Sequence, residues 1–326
     1  MLIYFIKRFA LALLTILSVS FLSVALLSIN TVTDLDVLKN KNFMTSDSPM
    51  NTPSPSNQIK KGILINYMQW LKKAVHFDFG NSLIFNVEVS SLVLQKAFIT
   101  APYFLVSVFF ILFFSVIITV FKVFSFSSFA NHASNSVLLF LNMTPIYILA
   151  IFLLMFFSGH NHLNLFPLGG RQSDNFNSLA LPNQFIDRLY FGFLPVFCYV
   201  LSHLAEVTFI TQNSTTSILK KEYIKTAIAK GLSKKDIIVH HVLRNSILPL
   251  LSYLNTLVLL LISSSLIVEN VFNIKGLGYL SFRVIINRDY NTLIFINLLT
   301  AFFLIGLRCF SDLCLHFLDR RIDWGD

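Results

Sequence analysis

The sequence predicts an all-α, polytopic membrane protein with six transmembrane helices, and three observations lead to this fold class. Hydrophobic residues make up 55% of the 326 residues and charged residues only 13%, roughly half the charged share of a typical soluble domain. The mean hydropathy is +0.70. Several apolar segments reach the roughly 20 residues that a helix needs to cross hydrocarbon. One globule cannot bury so much apolar surface, so we expect a bilayer to cover the remainder.

Six apolar segments supply the predicted spans. Five of them meet the length requirement cleanly. The fourth along the chain is weaker because it contains Pro195, His203 and Glu206, but without it the basic loop that follows would lie outside the cell. In chain order the segments are Phe9–Ile29, Ala101–Phe121, Val137–Phe157, Gly192–Thr211, Ile247–Val268 and Thr292–Leu315.

The distribution of charge predicts the orientation. Lys7 and Arg8 precede a first apolar segment that is longer than the core of a cleaved signal peptide. We therefore expect residues 1–29 to be a retained anchor helix with its N-terminus in the cytoplasm. The loop Gln212–Ser246, called the basic loop below, carries seven Lys or Arg side chains and two acidic ones. Such an excess favours the cytoplasmic side, and six spans then place both termini inside.

Two further regions complete the predicted organisation. Residues 30–100 are predicted to form an extracytoplasmic segment, and residues 101–326 a core of five transmembrane helices that contains the basic loop. Residues 30–61 are polar and include two prolines, a composition typical of mobile chain. After them, Trp70, Leu71 and Val75 are spaced for a short amphipathic helix that also includes Phe77.

Composition argues against several other functions. The net charge of +9 lies in the loops of a membrane protein, which disfavours nucleic acid as a partner. The three cysteines fall in apolar segments and are interpreted as small apolar side chains. The pairs His160/His162 and His240/His241 lack further ligands, so no metal site is predicted. No set of acids or of Ser, His and Asp residues predicts catalysis.

The basic loop is predicted to form a helix, a break and a second helix. Ala227 and Ala229 favour the first helix, and Gly231 ends it with a positive φ. Ser233 can cap the second helix, with Asp236 three residues later in capping-box spacing.

The second helix of the basic loop has an apolar face. We expect Ile237, Ile238 and Val242 to be presented to a groove of a partner protein, because apolar residues inserted in a pocket are the usual anchors of such a contact. A loop that only joined two spans would not need that face.

Ten positions of the basic loop match a known motif. They are Tyr223, Thr226, Ala227, Ala229, Lys230, Gly231, Leu232, Arg244, Asn245 and Pro249. Their order and spacing resemble the cytoplasmic EAA-type loop of ABC importer permeases, in the form used by the dipeptide/oligopeptide/nickel family. The resemblance implies the type I importer permease fold, in which the helix after the glycine couples to an ATPase.

Other features of that family recur in order. Phe5–Arg8 resembles the family's opening, and Leu165–Arg171 is similar to its second outside loop. The segment from Val268 to Tyr290 resembles its last outside loop. The resemblance implies that this segment lies at the outer mouth and contacts a solute-binding protein. The residues assigned to the mouth are Glu269, Phe272, Gly276, Gly278, Asp289 and Tyr290.

The resemblance also implies partners and a solute. The partners are a second permease subunit, two ABC ATPase subunits, an extracytoplasmic solute-binding protein and membrane lipid. The chain has no Gly-x-x-x-x-Gly-Lys-Ser/Thr loop, so we expect it to hold no cofactor and the partner subunits to bind ATP. The solute is expected to be a small peptide, a nickel chelate or a polyamine, imported across the inner membrane. Asp78-Phe79-Gly80 resembles the Sap peptide-transport branch.

One departure from the family removes two positive charges. The family commonly has two arginines where this chain has Phe209 and Gln212. Any role that those arginines serve elsewhere therefore has no counterpart at these two positions.

Three ionisable residues lie within predicted spans, where such groups are costly and usually face the bundle interior or water. Arg308 and Asp312 are four residues apart and can pair. Glu206 lies one helical turn from His203, where it either lines the path of a solute or anchors the end of the helix.

Two other classes of protein remain open from the sequence. An ion-coupled secondary transporter would place buried acids at mid-membrane and would need no loop that docks an ATPase. A scaffold or sensor would use the basic loop to bind a soluble partner without transport. Co-purification of a nucleotide-binding subunit separates an ABC permease from both.

Overall fold

The computed structural model describes residues 10–25, 63–124, 128–158 and 163–318. The predicted mobile region 30–61, the opening Phe5–Arg8 and the pair His160/His162 lie outside these ranges. Within them the only pairing of extended chain is one antiparallel bridge between Asn81 and Glu88, and the regular structure is helical. The helices are α1 (Ala10–Ala25), α2 (Ile63–Val75), α3 (Val89–Phe124), α4 (Ser128–Met143), α5 (Ile146–Ser158), α6 (Leu181–Leu219), α7 (Glu222–Ala229), α8 (Arg244–Val271), α9 (Leu277–Ile286) and α10 (Tyr290–Leu318).

The chain divides into two compact units. The described part of the first comprises residues 10–25, 63–94 and 283–305. Its small core joins α1 to α2, where the Tyr67 hydroxyl lies 2.9 Å from Ser20 Oγ and Tyr67 packs with Val24 and Ile294. The predicted amphipathic helix is confirmed as α2, although Phe77 lies beyond its end with a φ of 58°.

The second unit comprises residues 95–124, 128–158, 163–282 and 306–318 of the described chain. Its core forms where α5 and α8 pack along the long helix α6. Leu153, Tyr199 and Leu261 are among the buried side chains of this core. Apolar packing in the middle of the helices therefore fixes α6 against α8, and that pair carries the basic loop between its ends.

The predicted spans are found as apolar helices, with different ends. Four helical stretches are long and apolar enough to cross a membrane: α3, α6, α10 and residues Ile237–Val271. The weak predicted span Gly192–Thr211 lies inside α6, which has 39 residues. Helix α1 is the described, 16-residue part of the first predicted segment.

The third predicted span is bent rather than straight. It corresponds to α4 and α5, whose axes differ by 104° at a short break. Pro145 occupies the break and has no N–H to donate to the preceding turn. The neighbouring Thr144 hydroxyl donates to the Phe140 carbonyl at 2.7 Å, so the end of α4 is satisfied locally.

Candidate functional site

The basic loop forms a hairpin at one end of α6 and α8. The predicted break is confirmed, since α7 ends before Gly231, which has a φ of +80°. The predicted cap is also present, because Ser233 Oγ accepts a hydrogen bond from the Asp236 N–H at 3.1 Å. After one α-helical turn, Ile237–Leu243 winds as a π-helix and continues directly into α8. The region Gln212–Leu219, predicted as loop, is the last part of α6.

The apolar face of the second helix is covered by the chain itself. Ile237, Ile238 and Val242 are each at most 5% exposed. Ile237 and Val242 pack with Ile218 and Ile224 in one cluster. The prediction that these three side chains are presented to a partner is therefore wrong, because the chain itself buries them. The end of α6 and helix α7 supply the surface around Ile237 and Val242.

A different set of apolar side chains is exposed on the hairpin. Ile228, Leu232 and Val239 are between 43% and 59% exposed, and Tyr223 is 42% exposed. Lys225, Lys230 and Lys235 are exposed on the same hairpin, and Lys225 forms a 2.8 Å ion pair with Glu222. Ile228, Leu232, Val239 and Tyr223 are called the exposed hairpin edge below.

The remaining residues of the motif occupy the base of the hairpin. Asn245 donates to the Tyr223 hydroxyl at 3.3 Å and to the His241 carbonyl at 2.8 Å, which links the two ends of the hairpin. Ala227 is buried, while Ala229, Lys230, Arg244 and Pro249 are exposed.

Two adjoining clefts run along α6 and α8. The first, of about 1180 Å³, lies beside the hairpin and includes Lys221 and Arg244 in its lining. The second, of about 560 Å³, extends along the helices past Tyr253. The two clefts share the lining residues Ile210, Leu248 and Pro249.

The side chains assigned to the outer mouth are mostly buried. Glu269 and Phe272 are each 2% exposed, and Gly276 and Gly278 are buried as well. Thr100 Oγ1 donates to Glu269 at 2.6 Å and accepts the Leu277 N–H at 2.8 Å. A second Glu269 oxygen accepts the Tyr279 N–H at 2.9 Å. Glu269 and Thr100 together therefore cap the N-terminus of α9.

The two glycines are needed for close approach rather than for a positive φ. A Cβ on Gly276 would lie 2.5 Å from Thr100 Oγ1 and 2.7 Å from the Glu269 carboxylate. A Cβ on Gly278 would lie 2.5 Å from the Ser265 carbonyl oxygen. A positive φ in this segment lies at Asn273, with a value of 51°.

Asp289 has a comparable role in the first unit. It is fully buried, accepts from Ser82 Oγ at 2.5 Å and from Thr292 Oγ1 at 2.8 Å, and so caps the start of α10. Tyr290, the first residue of that helix, is half-buried. The buried residues that were assigned to the outer mouth thus hold the conformation of their loops. Asn273 and Lys275 are among the exposed residues of the segment from Val268 to Tyr290.

The three predicted intramembrane charges lie on two helices. Arg308 is exposed and Asp312 half-buried on α10, and a mutual ion pair stays a prediction. Glu206 is half-buried on α6, within electrostatic range of His203 and Tyr253. His203 Nε2 lies 3.3 Å from Ser264 Oγ on α8. Among the described residues, no three His, Cys, Asp or Glu side chains are grouped to hold a metal.

The exposed faces of the helices differ in polarity, which sequence reasoning missed. On α3 the exposed side chains include Leu105, Phe109 and Phe121, as expected for contact with lipid. On α8 the exposed positions include Ser252 and Thr256. Their spacing of four residues was visible in the sequence, but only packing shows that this side of α8 is not covered by the chain.

Long apolar helices, a charged hairpin between two of them and a polar cleft beside it define the transmembrane subunit of a transporter. The chain belongs to the family described as binding-protein-dependent transport system inner membrane component, whose sequence profile matches residues 111–324. It is a permease subunit of the ABC transporter class.

Named relatives agree with this assignment, and one solved structure agrees with the fold. The inner membrane ABC transporter permease protein YejB of Escherichia coli O157:H7 is 32% identical over 267 residues, which cover 81% of this chain and 73% of the relative. The dipeptide transport system permease protein DppB of Bacillus subtilis is 26% identical over 98% of this chain and 97% of its own length. A chain from an inward-facing structure of the MetNI methionine ABC transporter shares the fold, with a TM-score of 0.55 and 13% identity over 71% of this chain and 98% of that chain.

Proposed function

We propose that this permease imports small peptides, or a related solute such as a polyamine or a nickel chelate, across the cytoplasmic membrane. The named relatives support a peptide, since one is a permease of a dipeptide transport system. In this proposal both termini and the basic loop are cytoplasmic. A second permease subunit, two ATPases and an extracytoplasmic binding protein complete the transporter. The Sap branch suggested by Asp78-Phe79-Gly80 stays a prediction.

The exposed hairpin edge is the proposed contact with the ATPase. Ile228, Leu232 and Val239 are apolar and exposed on a hairpin that also exposes Lys225, Lys230 and Lys235. An apolar centre with a polar rim is the usual anatomy of a docking surface. The hairpin core packs on the end of α6, and its second helix runs into α8 without a break. A movement of the ATPases on binding ATP would therefore be passed to both helices.

The polar side of α6 and α8 is the proposed boundary of the solute path. Asn213 and Ser217 are exposed on α6, as are Ser252 and Thr256 on α8. Exposing hydroxyl and amide groups to lipid tails is energetically unfavourable. Helix α3, in contrast, exposes Phe and Leu side chains, which suit contact with lipid. A water-filled path next to α6 and α8 would satisfy these groups.

The exposed segment at residues 273–275 is the proposed contact with the binding protein. The buried cap of Glu269 and Thr100 holds the start of α9, so the exposed Asn273 and Lys275 are carried on a fixed support. Such a support would let a soluble partner dock without first ordering the loop.

Substitutions in the hairpin test the coupling proposal. Leu232→Asp and Val239→Asp place a charge on the exposed edge, so we expect normal amounts of folded permease with at least tenfold weaker retention of the ATPase and little ATP-dependent uptake. An anchor residue of an interface typically contributes 2 kcal/mol or more, about 30-fold in affinity. Retention is measured by co-purification at matched expression.

Ile238→Asp is the matched comparison. Ile238 is 1% exposed, so an aspartate there would be buried without a partner and would lower the amount of folded protein itself. Full ATPase retention and full uptake in both edge variants would show that the exposed hairpin edge is not the coupling surface. Uptake that needs an ion gradient but no ATPase would favour a secondary transporter.

A further inference from the structure

We infer that Glu206 binds the ammonium group of the transported solute. The inference deepens the proposed function, since it requires that α6 and α8 border the solute path. It assigns the solute a chemical class, a compound with a free primary amine, whether a peptide with a free N-terminus or a polyamine.

Glu206 has no Lys or Arg partner among the described residues. No side chain of either type within the described ranges forms an ion pair with it, and His203 and Tyr253 are among the groups within its electrostatic range. It lies on α6, 13 residues before the end at Leu219, inside the predicted span Gly192–Thr211. A carboxylate at that depth is rarely kept unless it meets an ion or solute.

The cleft along α6 and α8 gives a solute access to this carboxylate. Tyr253 lines the cleft of about 560 Å³ and lies within electrostatic range of Glu206. Ile210, on the same cleft, lies one helical turn from Glu206 along α6. The cleft adjoins the larger one beside the hairpin through three shared residues. Its volume falls in the range of pockets that hold small molecules.

The other polar groups near this cleft suit an amine. Ser252, Tyr253 and Thr256 supply hydroxyl oxygens that can accept from an ammonium group. The cationic side chains Lys221 and Arg244 line only the cleft beside the hairpin. The half-buried Glu206 lies one helical turn from Ile210 and is an acidic side chain beside this cleft. Charge-assisted hydrogen bonding would make it select for ammonium over a neutral group.

Binding to the purified complex of permease and ATPases, without the binding protein, tests the assignment. The probes are Ala-Ala, N-acetyl-Ala-Ala and spermidine. We expect the native complex to bind the two amine probes at least tenfold more tightly than the acetylated peptide. Glu206→Gln should remove that difference, and Glu206→Asp should keep part of it. Glu88→Gln, an exposed acid at the start of α3, is the control and should behave as the native chain.

Three results would overturn the inference. They are an equal affinity of the native complex for all probes, a preference for amines that persists in Glu206→Gln, and a failure of Glu206→Gln to assemble with its partners. ATP-dependent uptake by the native transporter in proteoliposomes is measured in parallel. If the native transporter takes up the probes and Glu206→Gln does not change their binding, only this inference is contradicted. If no probe is taken up in an ATP-dependent way, the proposed function is contradicted as well.

Discussion

At the scale of single residues, the cap on α9 depends on three groups that are far apart in sequence. Thr100 donates to Glu269 and accepts from the Leu277 N–H, so one hydroxyl satisfies both a buried carboxylate and the first N–H of a helix. Gly276 has no side chain because Thr100 and the carboxylate occupy the space of its Cβ. The loop that follows α8 is therefore held by buried polar groups rather than by apolar contacts alone.

Thr100→Val should destabilise the protein. Valine has the shape of threonine but leaves Glu269 and the Leu277 N–H each without one partner, at a cost of about 1–3 kcal/mol per unsatisfied group. We expect a lower midpoint of thermal unfolding in detergent. Thr216→Val is the control, because the exposed Thr216 hydroxyl bonds only to a carbonyl of its own helix. Equal midpoints for the two variants would contradict the role given to Thr100.

The sequence identified Gly276, Gly278 and Glu269 as residues of interest, but it did not predict what each of them does in the folded protein. Gly276 and Gly278 were assigned to the outer mouth by resemblance, whereas in the structure both allow close approach to Thr100, Glu269 and Ser265. Thr100 lies 169 residues from Glu269. No local rule of periodicity or capping connects positions so far apart, so their hydrogen bond required the packed structure.

At the scale of elements, the hairpin shows which sequence predictions depend only on neighbouring residues and which depend on tertiary packing. The break at Gly231 and the cap at Ser233 depend on neighbouring residues, and both predictions are confirmed. The apolar stripe of Ile237, Ile238 and Val242 correctly predicted a covered face, but the cover is the chain itself. An apolar stripe on a helix predicts that this face is buried, but it does not predict whether the same chain or a partner molecule covers it.

Gly231 tests whether the angle of the hairpin matters for coupling. Its φ is +80° and no atom lies within 4 Å of an added Cβ, so a substitution costs only backbone strain, about 1–2 kcal/mol for most residues. Asparagine tolerates this conformation better than valine does. We expect ATPase retention and the hydrogen-exchange protection of residues 222–243 to fall in the order Gly, Asn, Val.

Lys230 provides the control for that series. It is exposed, directly precedes Gly231 and has an ordinary helical φ of −77°. Lys230→Asn and Lys230→Val should therefore differ little from each other in protection of the hairpin. A decline as steep at Lys230 as at Gly231 would mean that side-chain size, and not the backbone conformation, governs the contact.

At the scale of the whole molecule, the topology depends on the bent pair α4–α5. The sequence predicted one span from Val137 to Phe157, because a run of hydrophobic residues shows the length of a segment but not a bend in its helix axis. With 16 and 13 residues, the two helices are about 24 and 20 Å long, and neither alone crosses hydrocarbon about 30 Å thick. Bent by 104°, they together advance about 27 Å along the direction that bisects the bend.

That advance predicts that the pair crosses the membrane. Ala133 in the first half of α4 and Asn183 near the start of α6 are both exposed, and the break of the pair and all of α5 lie between them. If α4 and α5 form one broken span, cysteines at these positions are labelled from opposite sides of the membrane by an impermeant maleimide in intact cells and after permeabilisation. The native chain, with Cys198, Cys309 and Cys314, gives the background. Lys235→Cys on the hairpin should be labelled from the same side as Ala133→Cys, since α6 then returns the chain across the membrane. Labelling of Ala133→Cys and Asn183→Cys from one side would instead make the pair a re-entrant loop, reverse the direction of α6, and place the hairpin on the side opposite to Ala133.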